Sequence, residues 1–185
     1  MLNAFVCSGG QLQRLSGAAS VDSLRQAAWI DLLSADEDEI DRVRQATGLD
    51  VPTEADVSEI ETSSRLATRN GVLYLSMPLI TLGDDGVRDV ATGFVLSPER
   101  LITVRFTPAR IFDTYAQHLP RGESRQESGA HILVGLLEAI VDCQADALEQ
   151  VRADLDTISH AIFAMGAEQR AGRKNEDATL RRTLG

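Results

Sequence analysis

The stretch RLATRNGVLYLSMPLITL, residues 65–82, decides the fold class of this chain. Asn70-Gly71 stands between two strand-like runs, and this dipeptide is the strongest hairpin signal that a short sequence carries. A turn-rich segment at 83–86 then leads to the runs TGFVLS and LITVRF, which are separated by the turn PER. We therefore predict two consecutive β-hairpins in the middle of the chain.

The residues before this region predict both strands and helices. NAFVCS, QLQRLS and AAWIDLL are strand-like runs joined by Gly and Ser turns. Ser34 and Glu37 fit the S-x-x-E capping box at the start of a helix predicted over 35–47, which Gly48 ends as a C-cap. A short helix is predicted after Pro52-Thr53. A further helix is predicted to begin at Thr107-Pro108, after the second hairpin.

The last part of the chain predicts one long helix over residues 127–165, about 55–60 Å in length at 1.5 Å per residue. Proline is absent from it, and its glycines lie near its start. Apolar or small residues form a heptad seam, broken only by Gln144, at positions 134, 137, 141, 148, 151, 155, 158, 162 and 165. The polar residues from 166 predict a loop, and ATLRRTLG predicts a helix that stops at the end of the chain. We therefore divide the chain at 1–126, 127–165 and 166–185.

Composition excludes several classes of function. A formal charge of −10 argues against a nucleic-acid partner, because phosphate neutralisation needs a basic face. The most apolar run, residues 132–141, is about half as long as a membrane helix requires. No catalytic motif such as a P-loop or an H-E-x-x-H pair occurs, and His118, His131 and His160 are scattered. We therefore expect a protein that is not an enzyme and that does not itself span a membrane.

Carboxylates are the abundant functional group, and they occur in three sets. The four acids at 36–39 point around a whole helical turn, so we interpret them as favourable charges at a helix N-terminus. Asp84-Asp85 lie in a glycine-flanked turn, where Asp commonly forms local hydrogen bonds. The third set forms one stripe on the long helix, either a solvated face or a weak Mg²⁺ site at an interface: Glu138, Asp142, Asp146 and Glu149.

Taken in order, several segments resemble the cytoplasmic N-terminal domain of CorA-type divalent metal ion transporters. They are WIDL, the acidic helix ending in GLD, EIETSSRL, NGVLYL, FVLSPERLITVRF and HILVGLLEAIVDCQADALEQVRADLD, and they cover nearly the whole chain. The resemblance implies the α+β class, with an α/β/α sandwich around a mixed β-sheet and a long helical arm after it. Residues 166–185 would then contain the truncated start of a stalk helix.

The resemblance also implies a function. Family members are homopentamers that carry Mg²⁺, often also Co²⁺ or Ni²⁺, and a related branch moves Zn²⁺. The pore lies in membrane helices that this chain lacks, so we expect a soluble fragment that acts at the cytoplasmic face of the inner or plasma membrane. One alternative is a soluble, self-associating interaction domain without a transport role, in which the heptad seam is the contact surface. The other is the same domain from the Zn²⁺-transporting branch.

The resemblance assigns candidate metal ligands as well. In the family, intracellular Mg²⁺ binds between neighbouring cytoplasmic domains and holds the pentamer closed. For this chain the resemblance implies a regulatory Mg²⁺ that binds weakly. One ligand is an Asp eight residues after the glycine that ends the preceding helix, which here is Asp56 counted from Gly48. Acids four apart on the long helix match Glu138 and Asp142. The family often has Glu before that Asp, where this chain has Ala55.

Overall fold

The computed structural model describes residues 1–8, 11–15, 20–58, 65–83, 86–118 and 128–183. Seven strands lie in these ranges: β1 Leu2–Ser8, β2 Gln11–Arg14, β3 Trp29–Leu33, β4 Leu66–Arg69, β5 Val72–Gly83, β6 Gly86–Leu96 and β7 Leu101–Arg105. Five helices accompany them: α1 Val21–Leu24, α2 Glu37–Thr47, α3 Glu54–Ser58, α4 Arg110–His118 and α5 Gly129–Thr183.

The strands form one mixed sheet in the order β2-β1-β3-β7-β6-β5-β4. β3 and β7 pair in parallel at its centre, and the other neighbours pair antiparallel. Both predicted hairpins are present. Asn70 and Gly71 adopt φ of 52° and 78°, which are the left-handed values that a tight two-residue hairpin requires.

The sheet buries a separate hydrophobic core on each face, because successive strand side chains point to opposite sides. Trp29 faces a cluster that includes Phe112 of α4 and Leu136 of α5. Its neighbour Ile30 faces a second cluster that includes Val43 of α2. Helices therefore cover both faces, which confirms the predicted α/β/α sandwich.

A buried ion pair joins the two parallel strands at the centre of the sheet. Arg105 donates from Nη2 to Asp31 Oδ2 at 2.8 Å and from Nε to Oδ1 at 3.2 Å. Thr103 also donates to Asp31 Oδ1, at 2.8 Å, and itself accepts a bond from Trp29 Nε1 at 3.1 Å. The guanidinium lies 4.6 Å from the ring centroid of Phe112. The two charged side chains are 1% and 3% exposed, so water does not screen this pair.

The cap of α2 differs from the prediction. Asp36, not Ser34, is the N-cap, and it forms a capping box with Glu39 rather than with Glu37. Ser34 cannot cap because its backbone has a φ of 42° and its hydroxyl donates to the carbonyl of Phe106 at 2.9 Å. The helix consequently begins at Glu37, two residues later than predicted. Its C-cap is Gly48, as predicted, in the left-handed conformation.

The helix α5 is longer than predicted, and the loop predicted from residue 166 is wrong. A single helix continues from Gly129 to Thr183. Glycine in a helix interior costs only about 1 kcal/mol relative to alanine, and good helix formers such as Ala, Glu, Gln and Arg surround Gly166. The chain divides into two compact units, Met1–Gln144 and Ala145–Gly185.

Within the first unit, α5 packs on the sheet through one face only. Ile132, Leu136 and Ile140 are buried and lie four residues apart, so they share one side of the helix. Val134 and Val141 belong to the heptad seam, and they are 55% and 62% exposed. Leu137 of the same seam packs against the core. The seam therefore adjoins the face that packs on the sheet, and it leaves Val134 and Val141 exposed.

The described part of the second unit carries the remainder of the seam. Five apolar side chains of the seam in this part are 38% to 66% exposed: Leu148, Val151, Leu155, Ile158 and Ile162. These spacings of three and four residues are those of a coiled-coil contact face. No helix in the described ranges is long and apolar enough to cross a membrane.

Candidate metal centre

Asp56 lies in α3 and takes part in a reciprocal cap at its start. The backbone N–H and the hydroxyl of Thr53 both donate to Asp56 Oδ2, at 2.8 Å and 2.7 Å. In return the backbone N–H of Asp56 donates to Thr53 Oγ1 at 3.3 Å. The side chain is therefore held in place through one oxygen, and Oδ1 takes no part in this cap.

The same hydrogen bonds keep Asp56 ionised. The two bonds from Thr53 lower the pKa of the Asp56 carboxyl below its ordinary value of 3.8, because they stabilise the charged form. Slight burial opposes this effect, and the positive charge of Arg69 adds a smaller lowering of the pKa. At neutral pH Asp56 thus presents an exposed carboxylate with a defined orientation.

Asp56 lines an open cavity of about 420 Å³ between α3 and the β4–β5 hairpin. Asp50 and Arg69 share this cavity, and Tyr74 and Ser76 add hydroxyl groups. The guanidinium of Arg69 lies 5.9 Å from the ring centroid of Tyr74, a cation–π contact. Two acidic residues and one arginine therefore line the cavity.

Gly93 of β6 allows α3 to approach the sheet. A Cβ atom at this position would lie 2.9 Å from Cγ2 of Val57 and 3.3 Å from Cγ of Pro52. Val57 is 4% exposed, so it faces the sheet and not the solvent. The missing side chain of Gly93 thus fixes the height of α3 above the sheet and, with it, the position of Asp56.

Glu138 and Asp142 do not belong to this cavity. Both are exposed and lie one turn apart on α5, and neither lines the cavity that contains Asp56. Their role as metal ligands stays a prediction, as does that of Asp56. Within the ranges that the structure describes, no three Asp, Glu, His or Cys side chains are grouped so that they could hold a metal ion.

The other acidic sets have structural surroundings where the structure describes them. Asp36 and Glu39 are occupied by the cap of α2, and Glu39 also accepts a bond from the Met1 ammonium at 2.7 Å. Asp84 and Asp85 lie outside the described residues. The interpretation of residues 36–39 as the charged start of a helix therefore agrees with the structure.

Sequence reasoning did not single out Asp50 or Arg69. The position of Arg69 could have been inferred from the two-residue turn at Asn70-Gly71. This turn sets the strand register, which pairs Arg69 with Val72 and Ala67 with Tyr74. Residues two apart on a strand share a face, so this register places Arg69 on the face of Tyr74. Asp50 had no comparable signal, since its position depends on the path of the chain between α2 and α3.

Comparison with known proteins identifies relatives along most of the chain. Residues 25–184 match the sequence profile of the family described as "CorA-like Mg2+ transporter protein". The magnesium transport protein CorA of Haemophilus ducreyi is 29% identical over 164 residues, which are 88% of this chain and 51% of that protein. The CorA proteins of Pectobacterium atrosepticum and Escherichia coli K12 are 28% and 29% identical, over 96% and 88% of this chain and 55% and 52% of theirs. These relatives are named as transport proteins and not as enzymes.

Solved structures share the fold. The soluble domain of CorA from Methanocaldococcus jannaschii superposes with a TM-score of 0.66 at 13% identity, over 89% of this chain and 65% of that one. The cytoplasmic domain of ZntB from Vibrio parahaemolyticus gives a TM-score of 0.60 at 15% identity, over 83% and 63% of the two chains. The chain spans about half the length of the curated relatives that it matches. Because the family profile covers residues 25–184, this chain belongs to the CorA-like Mg²⁺ transporter family.

Proposed function

We propose that this chain is the cytoplasmic, metal-sensing part of a longer Mg²⁺ transporter that assembles as a homopentamer. Membership of the family and the greater length of its named relatives support this proposal. In this proposal, the rest of the longer protein contains the membrane helices, and the 185-residue chain lies at the cytoplasmic face of the membrane. It regulates transport and catalyses no reaction. Co²⁺ and Ni²⁺ are further candidate ions.

The observation that carries the sensing role is the held, ionised carboxylate of Asp56 at an open cavity. Mg²⁺ keeps several of its waters and is usually bound by only one or two protein carboxylates, so Asp56 suits it without a dense cluster of ligands. Carboxylates from neighbouring subunits repel one another until a cation bridges them. A bound ion would therefore stabilise the closed assembly, and its loss would loosen the contact.

Glu138 and Asp142 are proposed as a second pair of ligands. Like charges four residues apart on a helix destabilise it mildly, and a cation between them removes this repulsion. Both side chains are exposed, so an ion or a neighbouring subunit can reach them. This pair supplies only two carboxylates, which suits weak rather than tight binding.

Limited proteolysis of the full-length protein with and without Mg²⁺ tests the role of Asp56. We expect Asp56→Asn to weaken the protection that Mg²⁺ gives, because the neutral amide attracts the cation less. Glu54→Gln is a matched control, since Glu54 is exposed on the same short helix but does not line the cavity of Asp56. Equal protection of the wild type and Asp56→Asn would exclude Asp56 as a ligand.

The transporter assignment has a separate test in the gene. The sequence after residue 185 should encode two apolar runs of about 20 residues each, which is the length of a membrane helix. The first run should be followed by Gly-Met-Asn, the signature loop of the CorA-type family that this chain resembles. A stop codon directly after residue 185 would contradict the assignment.

The exposed seam favours a second candidate function, a self-associating interaction domain. The a and d positions of a heptad repeat normally lie against another helix, and in this chain Leu148, Leu155 and Ile162 are 59% to 66% exposed. Leu155→Lys should then abolish self-association of the 185-residue chain, as measured by light scattering. Self-association that needs Mg²⁺ and is lost in Asp56→Asn would instead favour the metal-sensing function.

A further inference from the structure

Arg69 is an unexpected residue beside a candidate cation ligand. It lines the same cavity as Asp56 and Asp50, and its charge contributes to the low pKa of Asp56. A positive charge beside a carboxylate repels an incoming cation and partly neutralises the ligand. The proposed function must therefore explain why a positive charge lies beside the candidate ligand.

The position of Arg69 is set by its surroundings. The side chain projects from the last residue of β4, next to the tight Asn70-Gly71 turn. The ring of Tyr74 lies under the guanidinium at 5.9 Å, and Tyr74 itself lines the cavity. The cation–π contact favours a guanidinium at the edge of the cavity over one that extends into solvent.

Asp56, in contrast, is fixed with one oxygen outside its cap. Thr53 holds Oδ2, so the direction of the carboxylate does not depend on Arg69. The capped α3 therefore keeps its ligand oriented whether or not the guanidinium is near. Arg69 is not needed for the geometry of Asp56, and its effect on this site is one of charge.

We propose that Arg69 acts as a tethered competitor of the divalent cation and thereby sets the affinity of the Asp56 site. When the ion is absent, the guanidinium partly balances the charge of Asp56 and Asp50. When the ion binds, either the guanidinium moves away from the carboxylates or the ion binds against its repulsion. The competition rests on the proposed function of Asp56 as an ion ligand, and it makes the site respond at a higher Mg²⁺ concentration than the carboxylates alone would.

The size of the effect follows from Coulomb's law. For an ion taken to bind about 7 Å from the guanidinium in a water-like dielectric, one unit charge changes the affinity for a divalent ion by roughly sevenfold. Screening at physiological salt, with a Debye length of about 8 Å, reduces this change to roughly twofold. We therefore expect Arg69→Gln to lower the Mg²⁺ concentration at half-maximal protection by up to about sevenfold at low salt, and by about twofold at physiological salt.

The test is a Mg²⁺ titration of limited proteolysis on the full-length protein. Its variants are Arg69→Gln, Arg69→Lys, Arg25→Gln and Asp56→Asn. Arg69→Lys keeps the charge and should keep a midpoint near that of the wild type. Arg25 is an exposed arginine that pairs with Asp22 and does not line the cavity, so Arg25→Gln measures the effect of net charge alone. Fluorescence of Trp29 checks that each variant is folded.

The outcomes separate the two proposals. A lower midpoint in Arg69→Gln, with Arg69→Lys and Arg25→Gln near the wild type, supports the competition. An unchanged or higher midpoint in Arg69→Gln, while Asp56→Asn loses protection, overturns the competition and leaves Asp56 as a ligand. A wild type that Mg²⁺ does not protect overturns both.

Discussion

Replacing Asp31 with asparagine removes one charge from the buried pair at the centre of the sheet and leaves its shape almost unchanged. Asp31 accepts two bonds from Arg105 and one from Thr103, and its side chain is 3% exposed. Asparagine still accepts through one oxygen but cannot balance the guanidinium. Arg105, 1% exposed, would keep a buried charge without a counter-ion.

Asp31→Asn should lower the free energy of unfolding by a large amount. Breaking a buried ion pair by removing one partner typically destabilises a protein by about 3–5 kcal/mol. A typical domain has only about 5–15 kcal/mol of stability in total. The matched control is Asp22→Asn, because Asp22 forms a pair of similar length with Arg25, at 3.1 Å, in which the side chains are 88% and 57% exposed. Exposed pairs contribute about 0–1 kcal/mol, so this variant should resemble the wild type.

Urea unfolding followed by tryptophan fluorescence measures the difference. Trp29 is the only tryptophan, and its indole donates to Thr103 within the same network, so its emission reports the loss of this part of the core. The double variant Asp31→Asn/Arg105→Met should cost less than the sum of the two single variants, because it leaves no buried charge. A cost below about 1 kcal/mol for Asp31→Asn, equal to that of Asp22→Asn, would refute this reasoning.

Three further predictions concern the site and its supports. Gly93→Ala should lower the free energy of unfolding by about 1–3 kcal/mol in urea, because its Cβ would lie 2.9 Å from Val57 Cγ2; an unchanged value would mean that α3 shifts freely. The pKa of Asp56 is lower in the folded than in the unfolded chain, so its stabilising effect is present above pH 3.8 and is lost as the pH falls below that value. The free energy of unfolding of Asp56→Asn should therefore change less with pH in this acid range than that of the wild type. An equal change with pH in the two proteins would contradict the lowered pKa. Gly48→Ala should cost about 1–2 kcal/mol because alanine is strained at a φ of 68°; a cost near zero in urea would show that the C-cap relaxes.

The local parts of the fold were predictable because short-range chemistry determines them. Asn70-Gly71 permits a backbone conformation that few other dipeptides adopt, and Gly48 ends α2 for the same reason. The alternation of apolar residues predicted strands, although it could not give their order in the sheet. The parallel pairing of β3 with β7 joins residues more than 70 positions apart, which no local pattern encodes.

The start of α2 and the end of α5 were predicted wrongly for a common reason. At each position, neighbouring residues could form alternative helix ends. Ser34 and Asp36 were both able to cap α2, and the contact of Ser34 with Phe106 decided between them. Gly166 was able either to end α5 or to continue it, and the helix formers around it decided for continuation. In each case the sequence permitted more than one local structure.

The candidate site was predictable only in part. Counting from Gly48 identified Asp56, which lies at a cavity with an oriented carboxylate. The count could not reveal that Arg69 and Asp50 share this cavity, because these residues come from a different strand and a connecting segment. The family resemblance also offered Glu138 and Asp142 as ligands, and these two residues do not line the cavity of Asp56.

The seam on α5 constrains the handedness of any helix that contacts it. Leu148, Leu155 and Ile162 recur every seven residues, whereas a straight α-helix needs 7.2 residues for two turns. The exposed stripe consequently drifts around the helix by about 20° per heptad, or about 40° over these three residues. A partner helix can follow the stripe only if the two wind around each other in a left-handed supercoil. A straight partner would lose contact with one end of it.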